Sequence, residues 1–212
     1  PAGNPGPGAN TMGHHEPWTA STAAAQHGRS AISYVLTVTG PGTVPGNLTA
    51  VVISEGSGGV AFAGPIPGTT PYVVSPDFAT TTDGCAAFAA GTFTGAIALV
   101  NRGTCSFATK AINAAAAGAI AVLIANNTSG ALSPSVPGSP VPVFGVLQSD
   151  GAALASWKSA NPTATATIPA TASILPNTPD VLASFSSRGP AANLDLLKPD
   201  MTAPGVNVLA AY

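Results

Sequence analysis

The middle of this 212-residue chain reads Gly95-Ala96-Ile97-Ala98-Leu99-Val100-Asn101-Arg102-Gly103-Thr104-Cys105-Ser106-Phe107, and this stretch decides the fold. Its apolar beginning is typical of a strand that is covered on both faces. Ser106 is a good helix cap, and it predicts a helix over residues 107–117 that the following glycine ends. A second apolar run, residues 119–124, predicts another strand. Strand, helix and strand in this order indicate a right-handed crossover unit.

Further strands and a second helix are predicted around this unit. The strands are residues 34–39, 48–53, 72–74, 140–146 and 163–168, the helix is residues 150–158, and two later apolar segments are residues 181–187 and 206–210. Prolines interrupt segment 140–146, which favours a sheet edge because proline cannot donate a ladder hydrogen bond. On the first helix, we expect one buried face, which consists of Phe107, Ala111, Ile112 and Ala115.

The composition excludes several classes of protein. Charged residues make up 7% of the chain, far below the roughly 25% of an ordinary soluble domain. No apolar stretch reaches the about 18 residues that a membrane-spanning helix needs. Six basic residues and a net charge of −2 argue against nucleic-acid binding, which needs clustered Lys and Arg. The 24 glycines and 21 prolines predict strands joined by tight turns.

Two cysteines, Cys85 and Cys105, favour a disulfide. A zinc site would need four ligands at close spacing, and a pair of free thiols is the other alternative. A disulfide implies an oxidising compartment and therefore a secreted protein.

The three histidines do not make a convincing site. His14 and His15 stand beside Glu16, but adjacent side chains do not easily hold one metal ion, so we expect a surface loop and no metal. Arg102 is expected to satisfy backbone carbonyls or an acid in its turn rather than to contact substrate. Asn126 and Asn127 each begin an N-x-Ser/Thr pattern that can accept a glycan, but a role in a turn is favoured.

The two ends of the chain carry motifs that resemble one family. Ala183-Ser184-Phe185-Ser186-Ser187-Arg188-Gly189-Pro190, followed by Leu197-Lys198-Pro199-Asp200-Met201-Thr202-Ala203-Pro204-Gly205, resembles the segment before the catalytic serine of subtilisin-like serine proteases. The opening, Pro1-Ala2-Gly3-Asn4-Pro5-Gly6-Pro7-Gly8, resembles the oxyanion-hole segment of that family. This resemblance implies that Asn4 is a catalytic residue of the intact protease, where its amide stabilises negative charge on the substrate carbonyl oxygen. His27 follows this segment, whereas the family's catalytic histidine precedes it.

A second resemblance covers about residues 31–170. Its motifs are Gly84-Cys85, residues 97–107, Ala117-Gly118-Ala119, Asn126-Asn127 and residues 142–146, and together they resemble a protease-associated domain. The resemblance implies a mixed α/β, mainly β fold: a small open β-barrel or sandwich with short flanking helices. In many subtilisin-like proteases such a domain lies between the oxyanion asparagine and the catalytic serine. We therefore expect residues 1–30 and 171–212 to be segments of a subtilisin-like α/β catalytic domain.

These resemblances imply a fragment of a secreted subtilisin-like serine endopeptidase that acts on polypeptides. We expect the fragment itself to lack the catalytic triad and to be inactive, and its inserted domain to modulate substrate access or protein contacts. No cofactor is expected, although the parent protease can hold calcium. Exposed strand edges in the flanking segments predict self-association. The alternatives are a non-enzymatic protein-binding module and a zinc aminopeptidase that carries the same accessory domain.

Overall fold

The chain divides into two compact units. The structure is a computed structural model, and it describes residues 1–190, 196–206 and 208. One unit consists of Pro1–Ile32 with Ile174–Tyr212, and the other is Ser33–Ser173. No helix of the described residues is long and apolar enough to cross a membrane.

Ten strands and two α-helices make up the described chain. The strands are β1 (Thr22–Ala25), β2 (Ala31–Gly40), β3 (Val51–Glu55), β4 (Ile66–Val74), β5 (Ile97–Asn101), β6 (Ala121–Ala125), β7 (Val143–Val146), β8 (Thr165–Ile168), β9 (Ser173–Leu175) and β10 (Met201–Pro204). The helices are α1 (Phe107–Ala116) and α2 (Gln148–Ala160), and a 3-10 turn spans Gly46–Leu48.

Seven strands of the middle unit form a barrel-like sheet. Strands β4, β5, β6 and β7 are parallel neighbours. At one side of this group, β3 pairs antiparallel with β7. At the other side, β8 pairs antiparallel with β4. Strand β2 connects the two sides, because residues 34–36 pair with β3 and residues 37–40 pair with β8. This arrangement confirms the predicted mainly β fold with short flanking helices.

The core lies on both faces of the parallel strands. Successive side chains of a strand point to opposite faces, so Leu99 of β5 and Leu123 of β6 join one apolar cluster with Phe144. Val100 and Val122 join a second cluster, in which Ala111 and other residues of α1 cover the sheet. The prediction of strands that are covered on both faces is therefore confirmed.

Helix α1 begins as predicted, and its buried face agrees with the prediction only in part: Ala111 is buried and Phe107 packs against the same cluster, but Ile112 does not. The Ser106 Oγ accepts a hydrogen bond of 3.1 Å from the Thr109 amide, and Gly118 ends the helix with φ at +98°. The buried residues are Lys110, Ala111 and Ala114, whereas Ile112 is 45% exposed. The expected burial of Ile112 is wrong because the face that contacts the sheet includes Lys110, which apolar periodicity alone does not reveal.

Two strand predictions are wrong in detail. Segment 140–146 is not an edge, because β7 lies between β3 and β6 and all four of its residues are buried. Its prolines precede the strand, so they do not interrupt the ladder. The strand predicted from Leu48 begins instead at Val51, after the 3-10 turn.

The first unit joins the two ends of the sequence. Strand β1 pairs in parallel with β10, and Ala25 forms a further antiparallel bridge with Leu182. Segment 181–187 contains this single bridge and does not form a strand. Most of segment 206–210 lies outside the described residues. The self-association that was expected of these flanking segments stays a prediction.

Candidate functional site

The segment that contains Asn4 lies alongside segment 185–188. The amide of Ser187 donates to the carbonyl oxygen of Gly3, and the amide of Gly6 donates to that of Phe185, both at 2.9 Å. Arg188 closes the contact, because its amide donates to the Thr11 Oγ1 at 3.1 Å. The two motifs that resemble subtilisin-like proteases therefore contact each other along their backbones.

Two glycines permit this close approach. Gly3 has φ at +114°, and a Cβ at this position would lie 2.8 Å from the Ser187 Oγ. A Cβ on Gly6 would overlap the carbonyl oxygen of Ser186. Because the backbones meet at these points, side chains at positions 3 and 6 would separate the two segments.

The Asn4 side chain is free to meet a ligand. Asn4 is exposed, and no hydrogen bond engages its carboxamide among the described residues. A carboxamide carries two N–H donors and one acceptor oxygen. It can therefore donate to an oxygen atom of a bound molecule without first breaking a bond inside the protein.

Two buried serines, Ser186 and Ser187, adjoin the Asn4 segment. The Ser186 Oγ accepts a hydrogen bond of 3.1 Å from the Ala24 amide of β1. Ser187 is fully buried, and its Oγ has no hydrogen-bond partner among the described residues. The Ala2 amide donates to the carbonyl oxygen of Thr22 at 2.8 Å. The Asn4 segment is thus fixed to β1 on one side and to segment 185–188 on the other.

A charged network fixes the start of β10. Lys198 Nζ forms an ion pair of 2.8 Å with the Asp200 carboxylate and donates to the Thr19 carbonyl at 2.8 Å. The same carboxylate accepts from the amide of Ser21 at 2.7 Å. The Lys198 ammonium, followed by the Ser21 amide, lowers the pKa of Asp200 to about 2. Sequence reasoning missed this pair, although both residues flank Pro199 in the Lys-Pro-Asp turn.

The histidines occupy separate positions. His14 is exposed, His15 and Glu16 are half-buried, and the His27 Nδ1 accepts from the Arg29 amide at 3.0 Å. Among the residues that the structure describes, no three His, Cys, Asp or Glu side chains come close enough to hold a metal ion.

In the middle unit, Cys85 and Cys105 form a disulfide. Two charged groups are buried beside it. The Asp83 carboxylate accepts from the Asn101 amide at 2.6 Å and from the Ser75 hydroxyl, and Lys110 Nζ donates to the Asp83 carbonyl oxygen. Burial raises the pKa of Asp83, against the effect of its hydrogen bonds. Burial also lowers the pKa of Lys110, and the Asp83 charge opposes that change.

Comparison with known families assigns this part of the chain. Residues 68–154 match the family model of the PA domain. The chain contains a PA domain. Within it lie strands β5, β6 and β7, helix α1 and the disulfide.

The chain is also similar to subtilisin-like proteases. It is 42% identical over 117 residues to the minor extracellular protease Vpr of Bacillus subtilis (strain 168), which covers 55% of this chain and 14% of Vpr. It is 31% identical over 201 residues to a PI-type proteinase of Lactococcus lactis subsp. cremoris, covering 89% of this chain and 10% of that protein. The subtilisin-like protease SBT4.13 of Arabidopsis thaliana is 46% identical over 74 residues, which cover 34% of this chain and 10% of the plant protein. The chain thus spans only a small part of each relative.

Among solved structures, a zinc aminopeptidase from Bacillus subtilis is similar to this chain. The identity is 21%, the match covers 78% of this chain and 34% of the aminopeptidase, and the TM-score is 0.44. A TM-score of this size is too low to assign a shared overall fold or function.

The PA domain has an open cavity of about 440 Å³. Its lining combines the apolar residues Ala86 and Phe88 with the polar residues Asp77, Thr82 and Thr92. Cys85 lies in the same wall, so the disulfide fixes one side of the cavity.

Arg102 stabilises a turn in the PA domain. Its Nη1 donates to the Asn126 Oδ1 at 2.9 Å, and its guanidinium lies 5.8 Å from the centre of the Phe107 ring. Asn126 is buried and also donates to the Gly130 carbonyl at 2.9 Å. Asn126 holds a turn, as the sequence predicts, whereas the partners of Arg102 are an amide side chain and a ring rather than the expected backbone carbonyls or acid.

Proposed function

We propose that this chain works as an internal segment of a secreted subtilisin-like serine endopeptidase, in which the Asn4 carboxamide is part of the oxyanion hole and donates to the substrate carbonyl oxygen. One observation carries the proposal: the segment of Asn4 is hydrogen-bonded through Gly3 and Gly6 to segment 185–188. Each segment separately resembles a part of the protease active site, and each lies at a different end of the sequence. Their contact supports a common origin in one catalytic domain.

The chemistry follows from the exposed carboxamide of Asn4. Attack on a peptide bond builds negative charge on the carbonyl oxygen, and a fixed N–H donor stabilises that charge more in the transition state than in the ground state. Nucleophile, base and orienting carboxylate are needed together. We place these three groups outside the 212 residues, so the chain alone does not hydrolyse peptides.

The PA domain is the accessory part of this enzyme. The first unit contains residues from both sides of the middle unit in sequence, which supports an insertion into a catalytic domain. A domain inserted between the oxyanion segment and the nucleophile segment is well suited to modulate substrate access. The cavity beside Cys85 offers a surface for polypeptide substrates.

A serine-directed fluorophosphonate probe tests the proposed reaction. The full-length protein that carries this segment is expected to be labelled at a serine outside residues 1–212, and the isolated chain is expected to remain unlabelled. Labelling within the isolated chain would contradict the placement of the triad. An unlabelled full-length protein that nevertheless binds polypeptides would favour a non-enzymatic module.

Deletion of residues 33–173 tests the accessory role. The deletion is expected to change the cleavage of a folded protein substrate while leaving kcat/KM for a short peptide within about threefold. Unchanged cleavage of both substrates would contradict modulation of access. Equal loss on both substrates would indicate that the deletion damages the catalytic domain instead.

A further inference from the structure

Among the described residues, a buried amine has a hydrogen bond to one sulfur of the PA-domain disulfide, that of Cys85, and not to the other. Lys110 Nζ lies 3.9 Å from the Cys85 Sγ, and Lys110 is fully buried on the inner face of α1. Within the described residues, no cationic side chain has a hydrogen bond to Cys105. The two sulfurs therefore differ in their electrostatic surroundings.

A difference of this kind decides which sulfur of a disulfide leaves faster on reduction. A nearby cation stabilises a thiolate and lowers the pKa of its thiol. In thiol–disulfide exchange, the sulfur with the lower pKa leaves faster. The Lys110 ammonium thus favours departure of Cys85 and attack on Cys105.

We propose that the Cys85–Cys105 bridge is a thiol–disulfide exchange site for an external dithiol, with Lys110 stabilising Cys85 as the leaving thiolate. The thiolate of the dithiol bonds to the Cys105 sulfur, the Cys85–Cys105 bond breaks, and its electron pair remains on Cys85 beside the ammonium. The second thiol of the reductant loses its proton and attacks its own sulfur in the mixed disulfide. Cys105 leaves as a thiolate and takes a proton from water. Two electrons pass to the protein, and the reductant leaves as a disulfide.

The bridge is accessible, and its reduction has a local consequence. Both cysteines are only half-buried, and Cys85 lies in the cavity wall. The wall has other attachments, because the Thr104 amide donates to the Thr81 carbonyl at 2.8 Å and the Asn113 Nδ2 donates to the Gly84 carbonyl at 2.9 Å. Reduction therefore loosens one side of the cavity while these bonds hold the rest. The site goes beyond the proposed protease function and does not depend on it.

The first test uses the unmodified chain and a monothiol. The native protein is treated with reduced glutathione, quenched early with N-ethylmaleimide, and mapped by peptide mass spectrometry. Glutathione is expected on Cys105 and the maleimide on Cys85. Glutathione mainly on Cys85, equal amounts on both cysteines, or no exchange under native conditions would overturn the proposal.

The second test removes the amine. Lys110→Met is expected to slow reduction of the native chain by dithiothreitol about threefold to tenfold, because the leaving thiolate loses its cation. Asn113→Ala is the matched control, since it removes an uncharged attachment of the same loop from the same helix. The control is expected to react as fast as the native chain or faster.

The direction of the effect separates the proposal from simple loosening. If Lys110 only stabilised the fold, Lys110→Met would expose the bridge and speed its reduction. A rate that is unchanged or faster would therefore overturn the proposal. Should Lys110→Met not fold, the glutathione mapping on the native chain decides the question.

Discussion

The backbone amide of Ser187 donates a hydrogen bond of 2.9 Å to the carbonyl oxygen of Gly3, although the two residues lie near opposite ends of the sequence. The bond holds the peptide group that precedes Asn4. The Asn4 segment therefore depends on segment 185–188 for its position. Substitutions that disturb this contact are expected to displace the Asn4 carboxamide.

Gly6 tests the contact directly. Gly6→Ala is expected to destabilise the pairing of the two segments by about 1–3 kcal/mol, because its Cβ would overlap the Ser186 carbonyl oxygen. The measurement is the free energy of opening from hydrogen exchange at the Ser187 amide. Gly8→Ala is the control, since its Cβ would meet only the Thr11 side chain at 3.6 Å. Equal protection in both variants would show that the backbones do not approach closely at Gly6.

The ionisation of Asp200 makes the stability of the first unit depend on pH, and the lowered pKa sets the direction of that dependence. Its pKa is lowered to about 2, against about 4 in an unfolded chain, so the unfolded state binds the proton more readily. The stability that Asp200 contributes is present above about pH 4 and is lost as the pH falls to about 2.

Asp200→Asn is therefore expected to lower stability at pH 7 and to flatten its decline between about pH 4 and about 2. Hydrogen exchange at the amides of β1 measures the change. Asp180→Asn at an exposed turn serves as the control. A decline that is identical in Asp200→Asn and in the native chain would refute the role of the Lys198 ion pair.

The disulfide is expected to stabilise the PA domain by roughly 3 kcal/mol through closure of its loop. The double variant Cys85→Ser with Cys105→Ser should lose this stability in urea denaturation. The reduced and alkylated native chain is a second form without the bridge, and it should show a similar loss. A difference below about 1 kcal/mol would mean that the local hydrogen bonds, not the bridge, hold the loop.

An element could be predicted from the sequence where it coincides with one continuous apolar run or with a clear cap. Strands β5 and β6 are continuous apolar runs, and α1 has a capping serine at Ser106, so their type and order could be predicted. The position of β7 could not, because prolines beside a strand and prolines inside it look alike in a sequence. The buried face of α1 was predicted only in part because it includes Lys110, whose burial depends on the partner Asp83.

The candidate site was predictable in part. Asn4 and segment 183–190 were found from motifs, and Cys85 with Cys105 from their number. The pairing of Gly3 with Ser187, the ion pair of Lys198 with Asp200, and the proximity of Lys110 to Cys85 were not. Each joins residues that only the folded chain brings together, and no local spacing in the sequence encodes such a contact.

The kinetics of Asn4→Ala in the full-length protein test the central claim most directly. Loss of one oxyanion donor is expected to lower kcat by about 100- to 1,000-fold with little change in KM, a magnitude that comes from subtilisin itself. Asn47→Ala, which removes an exposed carboxamide in the middle unit, is the matched control and should retain native kinetics. A kcat for Asn4→Ala within about threefold of the native value would contradict the account.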